Sequence, residues 1–70
     1  MSEEDFIKKI GANIAKRREE KGLSQAELAS EIDEEVTDII MIENGSKDAA
    51  ILTISHIADA LDIPVRNLFD

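Results

Sequence analysis

The stretch Gly22 to Gly45, GLSQAELASEIDEEVTDIIMIENG, leaves few folds open. Ser24 stands three residues before Glu27, the capping-box spacing in which a hydroxyl and a carboxylate satisfy free amides of a helix's first turn. Leu28 and Ile32 follow at i, i+4 with Ala29 beside them, an apolar face whose small residue lets another helix come close. The pattern breaks at Asp33-Glu34-Glu35 and resumes with Val36, Ile39, Ile40 and Ile42, after which Asn44-Gly45 supplies a left-handed stop. Two short helices around a turn of about 3–4 residues make a helix-turn-helix. That geometry serves nucleic-acid binders, and it also lets a small helical protein turn a corner.

Helical periodicity extends to both sides of this unit. Residues 3–21 read as a first helix, with Glu3, Glu4 and Asp5 where they favour its N-terminus and Phe6, Ile7, Ile10 and Ile14 on one face. A further helix is expected over 51–61, with Ile51, Ile54, Ile57, Ala58 and Leu61 inward and Leu52 exposed. Pro64 fits the first turn of a short last helix ending at Phe69. The 70 residues form one domain, 1–70, near the lower size limit for a core without staples. The expectation is all-α: five helices burying Leu28, Ala29, Ile32, Ile39, Ile42, Ile54, Ile57, Ala58 and Leu61.

Composition removes several functions. Without cysteine there is no disulfide framework and no thiolate metal site. No apolar run approaches a membrane span, and MSEEDF is acidic rather than signal-like, so a cytoplasmic protein without membrane contact is expected. Two phenylalanines are too few aromatics for a base-stacking single-strand binder. The one histidine, His56, has Asp59 at i, i+3, a pair expected as a helix-surface contact rather than a metal site. The Asp33–Glu35 cluster lacks the spacing and central glycine of a calcium loop, and the three glycines are isolated. Neither an enzyme nor a cofactor is expected.

Particular residues carry a family resemblance. Gly22-Leu23-Ser24-Gln25-Ala26-Glu27-Leu28-Ala29 resembles the opening of the helix-turn-helix in phage Cro and CI repressors and their bacterial relatives. Ile42-Glu43-Asn44-Gly45 is similar to that family's "Ile/Leu-Glu-x-Gly" close, and Ile57–Leu61 and Asn67-Leu68-Phe69 to its fourth and fifth helices. The resemblance runs without a gap from about Ile10 to Phe69. It implies a compact five-helix, lambda-repressor-like domain whose helix-turn-helix covers about 24–44, with a recognition helix at about 35–43.

The resemblance also implies roles. Arg18 and Glu43 match a pair that ties the first helix to the end of the third. Gln25, Asn44 and Lys47 match positions that touch phosphate, while Val36, Thr37, Ile40 and Met41 fall at or near positions that read bases. Val65, Leu68 and Phe69 lie where many relatives dimerise. Double-stranded DNA with a palindromic operator, bound by a homodimer, is the implied partner.

The charges pull the other way. Net charge is −8, and between Lys21 and Lys47 there is no basic residue against the acids Glu27, Glu31, Asp33, Glu34, Glu35, Asp38 and Glu43. Six of the eight cations, Lys8, Lys9, Lys16, Arg17, Arg18 and Lys21, gather on the first helix, as a solvated face or a phosphate-facing edge. Arg17 stands where the family usually has an apolar residue, its stem able to snorkel over the core edge. Glu34 replaces a residue that normally packs inward, and Glu35 is a weak cap. Val, Thr and Met can touch thymine methyls, but none offers the bidentate pairing of Arg to guanine or Asn/Gln to adenine. Two functions follow. One is a sequence-specific DNA-binding regulator, repressor-like. The other is a helix-turn-helix turned protein-interaction module, its partner on Val36, Ile40 and Met41, unless the helix is rolled to bury Val36.

Overall fold

A computed structural model describes residues 1–70. Four α-helices follow in order, α1 (Glu3–Lys21), α2 (Gln25–Glu31), α3 (Val36–Glu43) and α4 (Ile51–Ala60), then a 3-10 helix, Val65–Leu68. No strand occurs. The expected boundaries differ from these by a residue at most. The last element is the exception in kind: four residues are too few for an α-helix, so it closes through i→i−3 bonds, Asn67 N–H to the Pro64 carbonyl and Phe69 N–H to that of Arg66, each 3.0 Å. Pro64 is its N-cap rather than part of its first turn.

Caps account for where the helices begin and end. Ser2 opens α1, its hydroxyl accepting from the Asp5 amide. At α2 the capping box is complete: the Glu27 amide donates to Ser24 Oγ at 3.0 Å and the Ser24 amide to Glu27 Oε1 at 2.8 Å. The Ser24 amide, with the Ser24 hydroxyl beside it, holds the Glu27 carboxyl below its usual range. The turn survives its acidic sequence because Asp33 takes a left-handed conformation, φ 58°, which Asp tolerates better than most residues. Glu34 faces solvent and Glu35 gives α3 no side-chain cap. Beyond α3, Gly45 turns left-handed at φ 79°.

The core is one cluster of Ile10, Ile14, Leu28, Ala29, Ile39, Ile42, Ile54, Ile57, Ala58, Leu61 and Leu68. Three expectations of burial need correction. Ile32 is half-buried, because α2 ends at Glu31 and leaves it as the C-cap at the rim of an open cleft. Ile51 shares a face with Ile54 but opens α4 a turn earlier, where nothing covers it, and is 70% exposed. Phe6, expected on the inward face of α1, is exposed too, and stacks on half-buried Phe69 at 6.0 Å between ring centroids. Asn13 of α1 completes that junction by donating to the Leu68 carbonyl at 3.0 Å.

One glycine sets the distance between α1 and α3. A Cβ on Gly11 would lie 2.8 Å from the Glu43 carbonyl oxygen and closer still to that of Ile42, both backbone atoms that cannot step aside. The helices therefore touch backbone to backbone, which places the end of α3 within reach of Arg18.

Candidate nucleic-acid interface

Position and orientation of α3 come first. Ile39 and Ile42 are buried at 0% and 3% exposure, and the opposite face carries Val36, Thr37, Ile40 and Met41 into solvent. The helix is not rolled: Val36, Ile40 and Met41 are 38–41% exposed. Three apolar side chains and one hydroxyl thus make up the presented surface. Thr37 makes no side-chain hydrogen bond within the chain, so its hydroxyl is available as donor and acceptor.

A buried ion pair fixes α3 to α1. Arg18 Nε donates to Glu43 Oε2 at 2.7 Å and Nη2 to Oε1 at 3.0 Å, a bidentate pair whose side chains are only 11% and 6% exposed. The third arm, Nη1, donates to the Leu23 carbonyl at 2.8 Å. Hydrogen bonding to Glu43 raises the Arg18 pKa above its ordinary value against the desolvation that lowers it, so the guanidinium stays charged. Gln25 joins the same group: its Nε2 donates to Glu43 Oε1 at 2.9 Å, leaving a second N–H to give. Sequence spacing does not reveal this last contact, which crosses from α2 to α3.

Asn44 is exposed, and its Oδ1 accepts from the Ser46 amide and hydroxyl, which leaves the Nδ2 protons free. Lys47 Nζ is engaged by Asp38 Oδ1 at 2.7 Å, a contact that ties the loop after α3 to that helix's first turn. At the C-terminus Val65 is exposed, Phe69 half-buried and Leu68 at 0% exposure in the core of its own chain. His56 and Asp59 are both exposed and line an open cleft of about 570 Å³ with Glu31, Ile32, Asp33 and Ala60; no hydrogen bond joins them.

Charge is unevenly spread. Glu27, Glu31, Asp33, Glu34 and Glu35 make no ion pair, whereas Asp38 and Glu43 are each matched by a cation. On α1, Lys8, Lys9 and Lys16 are unpaired, Arg17 reaches Glu20 at 3.7 Å from a half-buried stem, and Lys21 pairs with Asp62. No helix is long and apolar enough to cross a membrane.

An all-helical domain that clamps a helix-turn-helix against its first helix and turns one face of the second motif helix outward has the architecture of the helix-turn-helix class. The "Helix-turn-helix" (HTH_3) family model matches residues 14–68, and the chain belongs to that family, the Cro/CI-type helix-turn-helix proteins. Among solved structures, the restriction-modification controller protein C.AhdI from Aeromonas hydrophila superposes with a TM-score of 0.93 at 30% identity, over 99% of this chain and 100% of that one. A hypothetical transcription factor, NHTF from Neisseria, gives 0.90 at 27% identity, over 100% of this chain and 80% of that one. The DNA-binding domain of BldD shares the fold, at a TM-score of 0.86 and 22% identity with both chains fully covered. No curated protein sequence matches.

Proposed function

We propose that this protein is a sequence-specific DNA-binding transcriptional regulator, repressor-like and without enzymatic activity, that acts in the cytoplasm. The observation that carries the reading is α3 itself: held by the buried Arg18–Glu43 pair, it presents Val36, Thr37, Ile40 and Met41 to solvent as a rigid unit. An α-helix so presented fits the major groove. Membership of the helix-turn-helix family and the end-to-end likeness to a restriction-modification controller support it.

Roles follow from the chemistry of each side chain. The free N–H of Gln25, the Nδ2 of Asn44 and the Lys47 ammonium donate to phosphate oxygens and set the register. Val36 and Met41 meet thymine methyls, and Thr37 hydrogen-bonds a base edge or a phosphate. A twofold dimer that uses the last helix and the end of α4, with Val65, Leu68 and Phe69 nearby, presents two such helices to half-sites about 34–36 Å apart on a palindromic operator.

Duplex selection from a random pool at low salt, with oligomeric state measured by sedimentation, tests this reading. A shared palindromic motif and a dimer are expected. No enrichment, or a dimer sealed through Val36, Ile40 and Met41, would overturn it. One observation favours a second reading, a protein-interaction module: the exposed face of α3 is an apolar strip beside the unpaired acids of the turn, with no cation of its own.

A further inference from the structure

Lys47 is the sole lysine or arginine between Gly22 and Val65, and its charge is already taken. Its Nζ lies 2.7 Å from Asp38 Oδ1, in the first turn of α3. The side chains are 41% and 29% exposed, so water reaches the pair and it opens easily. Exposed pairs of this kind favour the closed form by only about 1.4- to 5-fold.

Resting on the DNA-binding reading above, we infer that Asp38 is an internal competitor for the phosphate that Lys47 would otherwise contact. A phosphate oxygen and the Asp38 carboxylate seek the same ammonium. Binding DNA through Lys47 therefore exchanges one ion pair for another, and it leaves the Asp38 carboxylate unpaired on the helix that lies against the duplex. The exchange lowers what Lys47 contributes to affinity and to its salt dependence while Asp38 is in place. Of the seven acids on the helix-turn-helix only two pair with a cation, Asp38 with Lys47 in the loop just after the unit and Glu43 with Arg18 from α1. The other acids act by repulsion at a distance; Asp38 acts by occupying a partner.

A mutant cycle on the full chain separates these two effects. Asp38→Asn, Lys47→Met and the double variant are titrated against a labelled random-sequence duplex over a range of salt concentrations. Asp38→Asn is expected to tighten binding about five-fold per protomer and to steepen the salt slope by about one per protomer, as one further phosphate contact requires. Lys47→Met should weaken binding far more in the Asp38→Asn background, where it abolishes the gain, than in the wild-type background. Because Asp38 also favours the start of α3, each variant is first checked by thermal melting, and Asp38→Ser, equally uncharged, must repeat the result. An equal gain with and without Lys47 would reduce Asp38 to simple repulsion and overturn the inference, as would no gain at all. If wild type binds a duplex but the cycle shows no coupling, only the competition fails. If neither wild type nor Asp38→Asn binds any duplex at low salt, the DNA reading fails and takes this inference with it.

Discussion

Replacing Glu43 by Ala should come close to unfolding this domain. The carboxylate accepts three hydrogen bonds, from Arg18 Nε at 2.7 Å, Arg18 Nη2 at 3.0 Å and Gln25 Nε2 at 2.9 Å. Its loss leaves the Arg18 guanidinium, 11% exposed, with the Leu23 carbonyl as its remaining close partner and Glu19 Oε2 only at 3.9 Å. Removing one member of a buried pair costs about 3–5 kcal/mol, most of it from stranding the other charge. The whole stability of a chain this size is about 4–10 kcal/mol. A midpoint drop of at least ~12 °C follows, since 1 kcal/mol shifts Tm by about 4–8 °C in a small domain. Thermal and urea unfolding followed by far-ultraviolet circular dichroism measure it. Arg18→Met with Glu43→Leu removes both charges while keeping apolar bulk, and should recover most of the loss. A Glu43→Ala midpoint within about 5 °C of wild type, or losses from Arg18→Ala and Glu43→Ala that simply add, would refute the argument that a buried pair clamps α3.

Gly11→Ala should cost about 2 kcal/mol or more in urea unfolding, despite the better helix propensity of Ala, because the new methyl meets the Ile42 and Glu43 carbonyls; an unchanged midpoint would mean that α1 and α3 can part freely. Glu27 carries the acid sensitivity of α2. Its folded pKa is lowered, so its contribution is complete above the unfolded carboxylate value of about 4.3 and is lost as pH falls through the folded value. Glu27→Gln should flatten the stability profile below about pH 4; parallel profiles would remove the capping box from the account. Glu34→Gln with Glu35→Gln should strengthen binding to any duplex by relieving repulsion, while Thr37→Ala should weaken only the selected site, both read by anisotropy titration. Wild-type binding should show a shallow salt slope, because few cations are free to displace counterions.

Most of the fold was legible because the signals are local. Ser24 and Glu27 announce the start of α2, Gly45 the end of α3, and the spacing of Ile39 and Ile42 the face that α3 buries. The Arg18–Glu43 clamp was legible only through the family resemblance, since nothing in the spacing of two residues 25 apart brings them together. Tertiary structure decided the rest. Gly11 looks in sequence like a weakness in a helix, and only the approach of α3 shows why a methyl there would collide with backbone. Ile51 has the right periodicity but lies past the end of the elements that could cover it, and Leu68 is drawn wholly into its own core. By resemblance Gln25 and Lys47 are expected at phosphate, and within the chain Gln25 is drawn onto Glu43 and Lys47 onto Asp38. Periodicity and capping are properties of consecutive residues and survive in the sequence. Which charge meets which, and which apolar face runs out of neighbours, depend on how α1 to α4 lie against one another, and that is settled only when the core is packed.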